Sequence, residues 1–424
     1  MTTLETANEI LVNILKDDIP FALAIRNSFK KNNVPPDKRS VVTTLVGCEL
    51  RHHLLFLEVI KNQLGELEIE HSSYLLLFLA DTLFSKRFKK DDFLDLITNQ
   101  VTPSGIDNEK LNEFLAWVGT TKELIPSKYP MMSNEFLSLR FNCPLWIVRM
   151  WSKQYGRTTA IKILKANYRP SSTTCRINTL SVSKEEILTN PNFEETIVSD
   201  IVKYIGKTPL KKQKYFENLG LYYEKMATKK ILDSLEFDHF KSVGIFASYP
   251  NNIYLEISTR TNRTTPIELM CFHSQVYHEA RRNVDLFKLD KVNVYDCSSG
   301  SSGLVITCLS NKVHTMFVLP KNSSFDLLRS TPDYFLKIKP EQLDSFIQGQ
   351  LSALKECDPF LEDDGELIYL IPTISKKEGH KVIETFLLDH PHYTLLEEKQ
   401  YMPFEEMDSC LYFAHLKKRE VKDD

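Results

Sequence analysis

The sequence is poor in the features that several function classes require. Among its 424 residues there is no run of about 18 apolar side chains, so no helical membrane span is expected. The start, M-T-T-L-E-T-A-N-E, is polar and acidic rather than a charged-then-apolar leader, which points to a soluble, cytoplasmic protein. Eight cysteines (Cys48, Cys143, Cys175, Cys271, Cys297, Cys308, Cys357 and Cys410) contain no C-x-x-C pair and no Cys/His cluster. Neither a zinc site nor a disulfide framework is indicated, and reduced, mostly buried thiols are expected. No metal is expected elsewhere, because His273, His278 and His314 have no carboxylate or cysteine at ligand spacing. Glycine is scarce, with only 13, which leaves few tight turns of the kind that bring backbone against a ligand.

A strong positive balance is also missing, since the net charge is −3, yet the charge is unevenly distributed. From Arg140 to Arg176 the cations are Arg140, Arg149, Lys153, Arg157, Lys162, Lys165, Arg169 and Arg176, with no acid among them. Phe141, Trp146, Trp151, Tyr155 and Tyr168 are interleaved. Phosphate-pairing cations mixed with stackable rings are the chemistry of an RNA-binding surface. A solvated helix face with its rings turned into a core would give the same string, and for any single ring that reading is the stronger one.

The hydrophobic pattern divides the chain into three parts. Residues 1–124 carry helical runs at 4–15, 39–64 and 74–83, and Asp107 stands as an N-cap before a run at 110–118. Residues 125–202 are marked by Pro126, Pro130, Pro144, Pro170 and Pro191 and read as a small α+β connecting domain. From residue 203 short apolar strands at 243–247, 267–272, 292–295, 315–319, 366–371, 393–396 and 411–416 alternate with helical stretches at 275–286, 341–354 and 377–388. That alternation predicts a doubly wound α/β sheet. Ser298–Gly303, S-S-G-S-S-G, lacks the Lys-Ser/Thr of a phosphate loop and reads as a flexible linker.

Several segments, in order, are similar to a known family. C-P-L-W-I-V-R-M-W at 143–151 resembles H-P-x-W-L-x-x-x-L, and A-N-Y-R-P followed by C-R-I-N-T-L at 166–180 resembles N-x-x-x-P…L-R-x-N. L-E-D-D-G-E-L-I-Y at 361–369 resembles L-K-x-G-G-x-L-V-Y, and S-C-L-Y-F-A-H-L-K-K at 409–418 a closing D-G-F-F-x-A-x-L-x-K strand. These are motifs of the Sun/Nop-type RNA 5-methylcytosine methyltransferases, and the domain order resembles the bacterial small-subunit ribosomal RNA methyltransferase B type. The resemblance implies a NusB-like helical domain over 1–124, the small domain over 125–202 and a Rossmann-like methyltransferase domain over 203–424. It also implies ribosomal RNA as partner, with Arg140, Trp146, Arg149, Lys153, Arg157, Lys162, Lys165, Arg169, Arg176 and Asn178 as contacts.

At the positions of chemistry the chain departs from that family. The thiolate that attacks cytosine falls at Pro372, in G-E-L-I-Y-L-I-P-T-I, and the second cysteine, in D-A-P-C-S, falls at Asn322 within L-P-K-N-S. Leu319 replaces the aspartate that would assist at the base. The family's D-L-C-A-A-P-G-G-K-T, which holds S-adenosylmethionine, corresponds to I-F-A-S-Y-P-N-N-I-Y at 245–254, with Ile245 for the acid and Asn251 and Asn252 for the glycines. Cys271 and Ser298 stand where later acids would hold the ribose and the adenine, and Asp296 or Glu268 is the substitute a shifted register would offer. No catalytic residue and no cofactor are expected. The reading is an RNA-binding protein without methyltransferase activity, acting in ribosome assembly or RNA-linked transcription control, with a protein partner for the helical domain. Two alternatives stand beside it: a divergent S-adenosylmethionine-dependent enzyme that uses Cys308, or a protein scaffold without RNA contact.

Overall fold

The computed structural model describes residues 2–169, 171–299, 309–407 and 409–419. Its contacts divide the chain into two units. The first comprises residues 1–169 together with 327–338, and the second 170–326 together with 339–424. The division between them falls at 169/170, and a re-entrant segment belongs to the first unit. The helices at 134–167 join the N-terminal helices, and the strands that follow join the sheet-bearing unit.

The first unit is helical: α1 (Thr3–Leu15), α2 (Phe21–Lys31), α3 (Pro36–Leu50), α4 (His53–Leu64), α5 (Ile69–Ala80), α6 (Asp91–Val101), α7 (Asn108–Thr120), α8 (Asn134–Arg140), α9 (Leu145–Tyr155) and α10 (Arg157–Asn167). Asp107 caps α7 as expected, its carboxylate accepting the Lys110 N–H at 2.7 Å. The expected single run at 39–64 is two helices. Asn142 holds the break, accepting Leu54 N–H at 2.9 Å and donating to the Leu50 carbonyl at 2.8 Å, so two backbone groups orphaned at the helix ends are satisfied from a distant loop. Phe56, Phe78 and Phe93 are fully buried in a core that every long helix from α1 to α7 except α2 lines with several aliphatic side chains. Each such side chain contributes roughly 1.5–3 kcal/mol.

A π-helical turn, Asp81–Ser85, follows α5 and ends at Lys86 with φ 51°. The buried Asp81 carboxylate gathers the Arg87 N–H (2.8 Å), the Phe88 N–H (3.1 Å) and the Ser85 hydroxyl, which fixes this turn. The re-entrant segment is tied in by the Asp333 carboxylate, which accepts the Phe21 N–H at 3.0 Å, and by Lys337, which donates to the Asp18 carbonyl at 2.7 Å.

The second unit contains two sheets. Strands β1 (Thr173–Ile177), β2 (Phe193–Glu195), β3 (Ile201–Tyr204) and β4 (Leu221–Tyr223) form an antiparallel sheet in the order β2-β3-β1-β4, with α11 (Lys184–Leu188) and α12 (Lys214–Glu217) in its connections. After α13 (Met226–Ser234) come β5 (Val243–Ala247), α14 (Ile253–Arg260), β6 (Ile267–Cys271), α15 (Ser274–Phe287), β7 (Val292–Asp296) and β8 (Val313–Leu319). They are followed by α16 (Pro340–Cys357), β9 (Leu361–Ile371), α17 (His380–Asp389), β10 (Tyr393–Tyr401) and β11 (Leu411–Lys418). These strands pair as β10-β11-β9-β8-β5-β6-β7, with β5 to β9 parallel and β11 antiparallel to both its neighbours. Alternate residues feed two cores: Ile245, Leu269, Phe317 and Ile368 enter one, Phe246, Met270, Met316 and Leu367 the other. Burial on both faces explains why the central strands read as unbroken apolar runs. A helical N-terminal region followed by a mixed α/β sheet is the observed architecture. Among the described residues no helix is long and apolar enough to cross a membrane.

Candidate functional site

The chain leaves β5 toward β6 and β7 on one side and returns to β8 on the other, so a crevice opens at the carboxyl ends of these strands, where such sheets take ligands. Strand register puts Asp296, Cys271, Ala247 and Leu319 in one row across those ends. Asp296 is the charged member, and its carboxylate accepts both the Ser298 N–H (3.0 Å) and hydroxyl (2.6 Å). Burial, reinforced by the Asp296 charge, pushes the Cys271 thiol up to about 12. Glu268 lies near the other end of β6 and takes its bonds from Asn293 and Tyr295, away from the crevice.

The turn after β5 closes on itself. Asn251 donates to the Tyr249 carbonyl (3.2 Å) and accepts the Ile253 N–H (3.3 Å), while Asn252 donates to the Tyr223 carbonyl (2.8 Å). Tyr249 reaches from the turn after β5 to the Leu370 carbonyl on β9 at 2.7 Å, past the end of β8, which lies between the two strands. Asn322 is buried and used in a local turn, donating to the Pro320 carbonyl and accepting the Ser324 N–H at 2.7 Å. Pro372 is buried at the tip of β9. Beneath these two loops the Glu378 carboxylate accepts Ser323 N–H (2.7 Å), the Gln350 amide (3.2 Å) and the Thr373 hydroxyl (3.0 Å), clamping the L-P-K-N-S segment to the end of β9.

The cations of the acid-free stretch separate into two groups. Arg140, Arg149, Lys153, Arg157, Lys162, Lys165 and Arg169 are exposed on or beside α8, α9 and α10. Arg149 pairs with Glu135 at 2.9 Å, and Arg157 donates to Asn134 at 3.3 Å. Arg176 and Asn178 are not surface groups. Arg176 is 4% exposed, bonded to Glu256 at 2.9 Å and to Asp200 at 3.5 Å. Asn178 is 2% exposed and ties the turn after β1 by donating to Ser181 and to the Leu219 carbonyl. Both follow from β1 being an inner strand covered on each face, which no local pattern announced. Of the interleaved rings, Trp151 is fully buried, Trp146, Phe141 and Tyr155 are half-buried, and Tyr168 is exposed.

Residues 143–192 match the domain family described as "Methyltr_RsmF/B-like, ferredoxin-like domain". A protein of Bacillus subtilis (strain 168) named "Probable ribosomal RNA small subunit methyltransferase B" is 22% identical over 256 residues. The chain therefore carries one segment that matches an RsmF/B-like domain and is similar over part of its length to a small-subunit ribosomal RNA methyltransferase B. The match covers 59% of this chain and spans 57% of that relative's length. Among solved structures, that of PH0851 superposes with a TM-score of 0.75 at 17% identity and covers 99% of each chain. NSun6 from Pyrococcus horikoshii with SFG gives 0.55 at 12% identity, covering 65% of this chain and 98% of that one. At such identities the likeness shows the shared fold.

One cluster at the crevice is not legible in the sequence. Lys225, at the start of α13, forms an ion pair with Asp326, beside buried Cys410, whose thiol lies 4.0 Å from the Pro372 carbonyl. The Asp326 charge outweighs burial and holds Lys225 protonated. Next to it, burial and the Glu256 charge push the Glu224 carboxyl up to about 7. The folded state therefore binds a proton that the unfolded chain, with a glutamate pKa of about 4.3, has released. This contribution to stability is full below about pH 4.3 and is lost as pH rises through about 7. Glu224→Gln should flatten that decline, as followed by urea unfolding from about pH 4 to about pH 8. Identical pH profiles for variant and wild type would refute the assignment. Cys308, the thiol of the alternative enzyme reading, and the end of the Ser298–Gly303 segment lie outside the described residues.

Proposed function

We propose that this protein binds structured ribosomal RNA in the cytoplasm and does not methylate it, acting in ribosome assembly or RNA-linked transcription control. The observation that carries this reading is the crevice: buried Pro372 and a structurally occupied Asn322 stand at both positions where the family resemblance calls for a thiol. S-adenosylmethionine does not fit the same crevice. A ribose diol needs an acceptor at the end of β6, where Cys271 is a buried neutral thiol, while Asn251 spends its amide on the turn backbone that a ligand would approach and Asn252 on the Tyr223 carbonyl of β4. RNA contact is supported by the seven exposed cations in a stretch free of acids. The helical unit, NusB-like in this reading, is the place for a protein partner.

Calorimetry with S-adenosylmethionine should give no binding heat, and excess cofactor should leave thermal unfolding unchanged. A bound ligand at a hundred times its dissociation constant would instead add about 2.7 kcal/mol. The competing reading, a divergent active enzyme, predicts that added stability together with a covalent complex on RNA containing 5-fluorocytosine, lost in Cys308→Ser. Restoring cysteine at both Pro372 and Asn322 should not produce trapping, because the cofactor turn and Leu319 would be unchanged.

A further inference from the structure

Four aromatic rings from separate parts of the helical unit meet at its surface. His52, in the break between α3 and α4, stacks on Phe84 of the π-helical turn with centroids 3.8 Å apart and planes 21° apart. Tyr168, after α10, stands edge-on to His52 at 5.8 Å, and Phe141 packs edge-on against Tyr168 at 5.9 Å. Phe84 is 43% exposed and Tyr168 39%, unusual values for rings held this firmly. Since one face of Phe84 lies on His52, its exposed area is available to a planar group arriving from solvent.

The rings are oriented, not merely adjacent. His52 Nδ1 lies 2.9 Å from the Cys48 carbonyl, so that nitrogen carries the proton, and Nε2 accepts the Tyr168 hydroxyl at 2.6 Å. Burial, aided by the Arg51 and Arg140 charges, lowers the His52 pKa and keeps the imidazole neutral, the only form able to accept from Tyr168. The π-helical turn sets Phe84 outward, and Asp81 fixes the chain that follows it.

Cations surround this platform. Exposed Arg140 is close enough for its charge to act on both His52 and Tyr168, exposed Arg51 acts on His52, and exposed Lys86 and Arg87 lie two and three residues after Phe84. Stackable rings ringed by positive charge match one kind of occupant, an unpaired base on a phosphate backbone. We propose that Phe84, supported by His52 and Tyr168, stacks an unpaired RNA base while Arg140 and its neighbours pair the flanking phosphates. This rests on the RNA-binding reading and adds to it single-stranded nucleotides as the element recognised by the helical unit.

The test compares the full chain with Phe84→Ala and Phe84→Leu, using a fluorescent single-stranded oligoribonucleotide and a fully paired RNA hairpin. Stacking predicts a loss of about tenfold for the single strand in both variants, with little change for the hairpin. The slope of affinity against salt should stay as in wild type, since no phosphate contact is removed. Phe84 is 43% exposed and outside the core, so thermal unfolding of each variant serves as the fold control. Wild-type affinity for the single strand in Phe84→Ala overturns the proposal. So does full retention in Phe84→Leu, which would mark an apolar docking surface for a protein. If the wild-type chain binds neither RNA, the RNA-binding reading itself fails, an outcome distinct from the other two.

Discussion

Replacing Arg176 with alanine is expected to cost about 3 kcal/mol of folding stability, because it takes the forked cation from a buried carboxylate. Arg176 lies on β1, Glu256 on α14, and the pair joins the four-stranded sheet to the seven-stranded one inside a single unit. The same carboxylate accepts Arg260 at 2.7 Å and the Tyr222 hydroxyl at 3.3 Å, while Arg260 and Lys229 share Asp233. Burial opposes charge on Glu256, but Arg176 and Arg260 overcome it and hold the carboxyl below its ordinary value. Arg176→Lys should recover only part of the loss, since an ammonium cannot reproduce the forked contact. Urea unfolding followed by a probe in the small sheet reads the effect. A cost below about 1 kcal/mol would mean that the network tolerates the gap.

Reversing charge at Lys153, Arg157 and Lys165 should abolish tight RNA binding without unfolding the chain, since all three side chains are exposed. If each pairs one phosphate, the log–log dependence of affinity on salt should become shallower by about 2. Filter binding to structured ribosomal RNA across a salt series measures both quantities. An unchanged slope would reduce these residues to a solvated helix face. Arg176 does not belong in that set, and a variant there should lose stability in place of the salt-dependent component of binding.

Some of this architecture could be read directly from the chain. The inner parallel strands announce themselves because both faces are buried, which turns 243–247 of β5 and 316–319 of β8 into unbroken apolar segments. The small sheet was harder to see: β2 and β4 have three residues each, too short for a period to emerge. The 39–64 run conceals its break because apolar spacing continues across Arg51 and His52, and the group that stabilises the break, Asn142, lies far along the chain. Charge by itself misplaced Arg176, as T-C-R-I-N looks like an exposed basic strand until Glu256 is brought opposite it. The Lys225–Asp326 pair, in contrast, needed the fold to bring residues from two distant loops together.

The return of residues 327–338 to the helical unit has a consequence for the timing of synthesis. Phe21 N–H and Asp18 wait for Asp333 and Lys337, which leave the ribosome only after β1 to β8 have been made. At roughly 5–20 residues per second, the interval between residue 169 and residue 327 is about 10–30 s. During that interval the N-terminal helices must persist as an incomplete nascent body with the end of α2 uncovered. The helical unit of this protein is thus begun first and finished late, and a fragment ending at residue 169 would be released in that unfinished form.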